Sequence, residues 1–464
     1  MMTELLQCIS PVDGSVFVER PLADEGEVAA ALERAKVVGP VWRALPLADR
    51  QAILSSAADF LASERDEIAL ELTWQMGRPV RQAPGEIAGF EERARHMISI
   101  APEALDDIEP LYQPGFRRFI RRMPLGLVFV VAPWNYPYLT AVNAVWPALL
   151  AGNTVILKPS HQTPLCAERF AAALARAGLP DGVFQPLHLS HAGAAALMRD
   201  TAVDFVAFTG SVAGGHAVQQ ALGGRFIGAG LELGGKDPAY VRHDADIEHA
   251  IANLADGVFF NSGQSRCGIE RIYVHEAVYD DFTAGLVLAA RNYTLGDPRR
   301  EETNLGPMVR AGAADFVRGQ IAEAVAAGAV PMVDPKTHRA DRRGTPFLAP
   351  QVLVGVNHSM RVMREESFGP VVGVMKVRSD EAAIGLMNDS DYGLTAAIWT
   401  GDEDAAIAIG EQVETGTWFM NRCDYLDPAL AWTGVKNSGR GCSLSTVGYE
   451  QLTRPKSFHL RTVT

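Results

Sequence analysis

Apolar residues recur at three- and four-residue spacing through the first hundred positions, the periodicity of amphipathic helices. The stretches are "EGEVAAALERAKVV", "LADRQAILSSAADFLASERDEIALELTWQMG" and "GEIAGFEERARHMISIAPEAL". Gly77 and Pro79 close the second. The rhythm breaks at "LYQPGFRRFIRR", where a Pro-Gly turn and alternating Phe, Arg and Ile predict a short hairpin. Such a hairpin serves either as a solvated edge or as a docking element between subunits. From Leu125 the pattern becomes strand, helix, strand. The strands are "LGLVFVVAP", "TVILKPS", "FQPLHLS", "DFVAFTG" and "RFIGAGLELGG". The helices between them include "TAVNAVWPALLAG", "TPLCAERFAAALARAGLP" and "SVAGGHAVQQALGG". Near-continuous apolar strands alternating with amphipathic helices predict an α/β fold, a parallel sheet covered on both faces. Residues 235–430 repeat the alternation less regularly, with strands in "RIYVH", "FLAPQVLVGV", "VVGVMKV" and "AAIWT". The tail "RPKSFHLRTVT" reads as a last strand, a partner for the arginine-rich hairpin.

Size and charge narrow the picture. A chain of 464 residues exceeds one hydrophobic core and predicts two large domains, with or without a small appendage. A net charge of −13 argues against non-specific nucleic-acid binding and against anionic membrane surfaces. The five cysteines, Cys8, Cys166, Cys267, Cys423 and Cys442, form no C-x-x-C pair, so no metal site is expected. Their odd number suits a reducing compartment. The N-terminal stretch lacks the charged-then-apolar order of a secretory leader, and the apolar runs are far too short to span a membrane. A cytoplasmic protein is expected.

Candidate chemistry collects where strands end, the place where open parallel sheets bind ligands. In "PWNYP", Asn135 sits in a turn fixed by Pro133 and Pro137 and can aim an amide donor as an oxyanion hole requires. In "LKPS", Lys158 can reach a ribose or phosphate. In "FTGS", Gly210 and Ser211 open a helix whose N–H groups can take a pyrophosphate. A simple Ser cap would look the same. In "LELGGKDP", Glu232 lies in an apolar strand end, where burial raises a carboxylate's pKa and suits it to general-base work.

Taken with "FFNSGQ", "NLGPM", "EESFGPV", "DYGLTAAIWT" and "GVKNSGRG", these motifs make the chain resemble the NAD(P)-dependent aldehyde dehydrogenase superfamily over essentially its whole length. The resemblance implies a Rossmann-type parallel-sheet cofactor domain at 1–102 and 122–234, and an α/β catalytic domain at 235–436. It also implies a small β oligomerisation element at 103–121 and 437–464, in a homodimer or homotetramer. NAD is the implied cofactor, with NADP possible. Lys158 would serve the adenosine ribose, with Ser160 also in the cofactor site, Gly210 and Ser211 the pyrophosphate, and Glu366 the nicotinamide ribose. Trp134, Leu233, Gly234 and Phe368 would complete the cofactor site. His161 stands where NAD-preferring members often carry a Glu, and a protonated His would tolerate a 2′-phosphate. The substrate is a small aldehyde, with Trp146, Arg422, Asp424, Tyr425 and Trp432 as candidate contacts. For Trp146 a core position is the favoured reading.

One departure bears on activity. Family enzymes attack the aldehyde with a cysteine, use an Asn and the nucleophile's own N–H for the oxyanion, and hydrolyse the thioester with a Glu. Their nucleophile stands three residues after the Gly of "GQ" and 34 beyond the general base. Both rulers, counted from Gly263 and from Glu232, land on Arg266. Cys267 is the lesser candidate, because adjacent residues point in different directions and catalytic groups need placement within about half an ångström. An Arg266–Glu232 ion pair filling the catalytic tunnel is expected. Three readings follow: an aldehyde dehydrogenase with an inactivating change, a dinucleotide-binding pseudoenzyme with a binding or assembly role, or an enzyme using Cys267.

Overall fold

The apolar runs after Leu125 become the strands of an open sheet, and the amphipathic stretches between them become its covering helices. The computed structural model describes residues 4–463, so the extreme ends of the expected domain ranges, 1–3 and 464, lie outside it. The strand order is Gly439–Arg440, Gly228–Glu232, Phe205–Thr209, Leu127–Val131, Thr154–Lys158, Phe184–Pro186. The last five are parallel. Gly439–Arg440 adds antiparallel to Glu232 and Leu231. Val128, Phe129, Val155 and Ile156 have no exposed surface, as sheets shielded on both sides require. One face packs on Trp146, Phe90 and Phe170, the other on Ala31, Leu197 and Val218.

A second sheet has the order Val330–Pro331, Gln351–Val354, Val371–Val377, Ile269–His275, Asp237–Val241, Thr395–Trp399, Thr417–Met420. Its pairs are parallel except at Val330–Pro331. Asp237–Val241 and Thr417–Met420 are additions to the expected strands. Each is short, and an opening Asp-Pro disguises the first.

Two local expectations change. The long second helical pattern breaks at Glu64 into Leu47–Ser63 and Arg65–Met76. The arginine-rich hairpin keeps one regular strand, Phe116–Pro124, and before its Pro-Gly turn an isolated antiparallel bridge, Ile108 opposite Ile120, with N–H to carbonyl bonds of 2.9 Å both ways. The strand's partner is the tail, Thr453–Arg461, in antiparallel register with Phe119 opposite Phe458 and their rings stacked at 4.5 Å. That pairing is the one expected for the tail. An N-terminal hairpin, Leu5–Ile9 with Val16–Pro21, is also present. The expected domain borders at 102/103 and 121/122 fall inside the helix Pro84–Ala104 and the strand Phe116–Pro124. Part of the expected oligomerisation segment lies against the first sheet, through Gly439–Arg440 and through Leu452, whose carbonyl accepts from Asn153 Nδ2 at 2.9 Å.

Candidate active site

Register brings the strand-end motifs to one edge. Val131 lies beside Lys158 and Phe208, and Thr209 lies beside Glu232. The turn holding Asn135 follows Val131, and Ser211 caps the helix Val212–Leu222, accepting from Gly214 N at 3.1 Å. Ser211 is therefore a helix cap that also lines the larger cavity. Two cavities share this edge. One, of about 990 Å³, is lined by Trp134, Lys158, Ser160, His161, Gly210, Ser211, Glu366 and Phe368. The other, of about 600 Å³, is lined by Glu232, Cys267, Asp424, Tyr425 and Trp432. Asn135 and Arg266 line both, at the junction.

The turn that carries Arg266 is unusually constrained. Asn261, Ser262 and Gly263 all have left-handed φ, at 51°, 57° and 70°. Side chains resist that region, and such strain concentrates at functional sites. A Cβ on Gly263 would lie 2.3 Å from Gly369 O, so only glycine fits. Gln264 fastens the turn: its Oε1 accepts from Val309 N at 2.8 Å and its carbonyl accepts from Asn135 Nδ2 at 3.0 Å. The expected ion pair is present. Arg266 Nη1 donates to Glu232 Oε2 at 3.3 Å and to Glu232 O at 3.1 Å. Glu232 also accepts from Ser443 Oγ at 2.7 Å and from Thr209 Oγ1 at 3.4 Å. Its side chain is 19% exposed, so the deep burial expected for it gives way to a half-open, well-bonded carboxylate.

Cys267 does face the 600 Å³ cavity, but its thiol donates to Asp424 Oδ1 at 2.8 Å. Burial, and then the Asp424 carboxylate, push its pKa well above the usual thiol range. A thiol held protonated is a poor nucleophile. Asp424, itself raised to about 6 by burial, also accepts from Ser265 Oγ at 2.7 Å.

On the dinucleotide side, Glu366 rises to about 7, chiefly through burial and secondly through nearby Glu270. Lys158 falls to about 8 through burial. His161 Nε2 donates to Leu189 O at 2.8 Å, and burial lowers its pKa. The positive charge facing this end of the cavity therefore comes from Lys158 rather than from His161.

Several expected contacts lie elsewhere. Trp146 is fully buried and meets Phe90 edge-on at 4.9 Å, so it belongs to the core, not the tunnel. Arg422 is exposed and stacks on the Tyr425 ring at 3.9 Å, outside the cavity. Leu233 packs into the core, and Gly234 lies behind Glu366. A Cβ on Gly234 would come within 2.6 Å of Glu366 Oε2, so its role is to let that carboxylate lie close. Sequence reasoning missed Arg78, Arg93, Tyr136 and Asn143 in the smaller cavity and His191 in the larger. Helical spacing held a signal for one of them. Glu86 and Arg93 fall on the face shared by Phe90 and Met97, and a charge on an apolar face demands a reason.

Residues 2–458 match the family model described as the aldehyde dehydrogenase family. An aldehyde dehydrogenase from Paenarthrobacter nicotinovorans is 35% identical over 452 residues, 97% of this chain and 98% of that protein. Succinate-semialdehyde dehydrogenase [NADP(+)] 1 from Mycobacterium tuberculosis (strain ATCC 25618 / H37Rv) is 33% identical, covering 97% and 98%. The solved structure of succinic semialdehyde dehydrogenase from Streptococcus pyogenes in complex with NADP+ has a TM-score of 0.93 at 29% identity, covering 98% and 100%. The family match over residues 2–458, the full-length relatives and the shared fold lead to one conclusion: the chain belongs to the aldehyde dehydrogenase family, enzymes that oxidise aldehydes with NAD(P)+.

Proposed function

We propose that this chain keeps the family's dinucleotide and carbonyl cavities but does not carry out the covalent oxidation. The observation behind this is Arg266, bonded to Glu232 where the nucleophile and general base would work together. A guanidinium stays protonated and cannot attack a carbonyl. Glu232, held by the cation and by Ser443, is occupied as a base.

The larger cavity suits NAD(P). Lys158 and Ser160 would hold the adenosine ribose, the helix start at Ser211 the pyrophosphate, and Glu366 the nicotinamide ribose. Trp134 and Phe368, edge-on at 5.7 Å, would flank the nicotinamide. NAD(P)+ bound there supplies a hydride acceptor. Asn135, Arg266 and Glu232 face the point where the two ligands would meet. For the site with its thiol restored, a short aldehyde carrying a carboxylate is the proposed substrate, in line with relatives named for succinate semialdehyde. Asp424, Tyr425 and Trp432 would contact it. Assembly as a homodimer or homotetramer is proposed through the strands Phe116–Pro124 and Thr453–Arg461, near exposed Leu111 and Tyr112. A cytoplasmic location is proposed from the five free cysteines. Among the described residues, no helix is long and apolar enough to cross a membrane.

Two measurements test this reading. Dinucleotide affinity should be greatest between pH 7 and 8. A ribose hydroxyl donates best to ionised Glu366, so binding strengthens as pH rises through about 7. Lys158 loses its charge above about 8, so binding weakens again. The fall is expected to reach about threefold to tenfold a unit beyond each limit. Fluorescence titration reads it, with Glu366→Gln removing the acid limb and Lys158→Met the alkaline one; a flat profile in the unaltered chain would contradict both roles. Separately, Cys267→Ala should change aldehyde-dependent NAD(P)H formation by no more than about twofold, in this chain and in Arg266→Cys. Loss of turnover in Cys267→Ala alone would move the nucleophile to Cys267.

A further inference from the structure

The smaller cavity carries two arginines with idle guanidinium edges. Arg266 makes its recorded bonds through Nη1 alone, both to Glu232. Its Nε is buried without a partner, although the side chain is only 9% exposed. Arg93, on the helix Pro84–Ala104, is 7% exposed and also bonds only through Nη1. Its acceptors are Leu139 O at 2.5 Å and Asn143 Oδ1 at 3.4 Å, both neutral. Among the described residues lining this cavity, Arg78 and Arg266 each pair with a carboxylate, and Arg93 pairs with none. A buried charge is normally paired, and leaving a guanidinium unpaired is costly.

The acidic lining residues are otherwise engaged. Glu86 pairs with Arg78 and accepts from Tyr138 N and Leu139 N. Glu92 accepts from Tyr425 Oη at 2.6 Å. Asp424 accepts from Ser265 and Cys267. Asp256 is exposed, so water solvates its carboxylate, and it forms no ion pair with these arginines. The unmet demand in the cavity is therefore for an anion, at two places.

We infer that the unaltered chain binds a short aliphatic dicarboxylate in this cavity, one carboxylate on Arg93 and the other on the free edge of Arg266. Planar guanidinium edges match carboxylates in two-pronged fashion. A dicarboxylate is also what an aldehyde acid becomes when its carbonyl is oxidised, so the site would hold the product form of the proposed substrate without making it. This rests on reading the cavity as a ligand site that has lost its covalent chemistry.

Calorimetric titration of the full chain with malonate, succinate, glutarate and adipate tests it, beside butyrate, butyramide and 1,4-diaminobutane. The best dicarboxylate should bind about tenfold or more tightly than butyrate, with no heat from butyramide or the diamine. Arg93→Met and Arg266→Met should each lose about tenfold or more for that ligand, and Arg93→Lys should recover part of it. Unfolding midpoints and NAD+ binding in the neighbouring cavity show whether each variant is folded. If Arg93→Met does not fold, Arg266→Met and Arg93→Lys with the same ligand series decide. The inference is overturned if the diamine binds in preference, if dicarboxylates bind no better than butyramide, or if the folded variants bind them undiminished. Failure of the unaltered chain to bind NAD+ would instead count against the dinucleotide reading and leave the carboxylate result legible.

Discussion

Replacing Arg266 by cysteine is expected to create aldehyde-dependent NAD(P)H formation at least about 10³-fold above that of the unaltered chain. The size follows from what a lost nucleophile costs, which reaches about 10⁶ in kcat where nucleophile and base act as a unit. The proposed supporting residues surround position 266. The turn that would present the thiol is pinned by Gln264, by the left-handed run from Asn261 to Gly263, and by the close approach of Gly369. Asn135 Nδ2 faces the same turn, and cysteine at 266 would also free Glu232 from its cation. Adding Glu232→Gln to Arg266→Cys should then remove about 10²–10⁴-fold of the gain, the usual worth of a general base. A spectrophotometric assay with several aldehydes, including acid-bearing ones, checks both. If Arg266→Cys binds NAD(P) yet remains inactive with all of them, the change at 266 is not what silences this site.

The strand ends were legible because a parallel sheet buried on both faces leaves long apolar runs, and chemistry interrupts them where each run stops. Lys158, Ser211 and Glu232 were all found that way. The contact of Arg266 with Glu232 was expected from spacings that the family resemblance implies, and the ion pair is present. Less could be read where the deciding contact is remote. The strand Phe116–Pro124 pairs with the tail more than 300 residues later, as expected, but local alternation carries no trace of the register that sets Phe119 opposite Phe458. Trp146 lies in the core, the reading favoured for it, and Arg422 lies outside the cavity. A tryptophan in an apolar helix and an arginine in a loop look alike whether they face a cavity or not. Arg93 was hidden because helical periodicity treats one arginine on a face as tolerable, whereas the folded helix places it at 7% exposure beside a cavity.

Glu86→Ala is expected to destabilise the fold by about 3–5 kcal/mol, the cost of leaving a buried ion-pair partner without its counter-charge. Arg78 and Glu86 meet at 2.5 Å with side-chain exposures of 1% and 0%. Glu86 Oε1 also accepts from the N–H groups of Tyr138 and Leu139, at 2.9 and 3.0 Å, where the helix Pro137–Leu150 begins. These are among the N–H groups a helix start leaves unbonded, so one carboxylate both pairs the arginine and caps the helix. Arg78 in turn donates to the carbonyl of Asn135 and, through Nε, to Asn261 Oδ1 at 3.3 Å. The ion pair thus ties the oxyanion candidate to the turn that carries residue 266. Denaturant melts of Glu86→Ala, Glu86→Gln and the double variant Arg78→Met/Glu86→Leu separate the contributions. Glu86→Gln keeps an acceptor for the helix start and should cost less than alanine. The double variant buries no unpaired charge and should recover much of the stability, because an apolar pair is often as stable as a buried salt bridge. It should not restore turnover in an Arg266→Cys background, because Asn135 has then lost the donor that fixes its carbonyl. If the double variant melts as low as Glu86→Ala, the stabilisation resides in capping the helix rather than in neutralising Arg78.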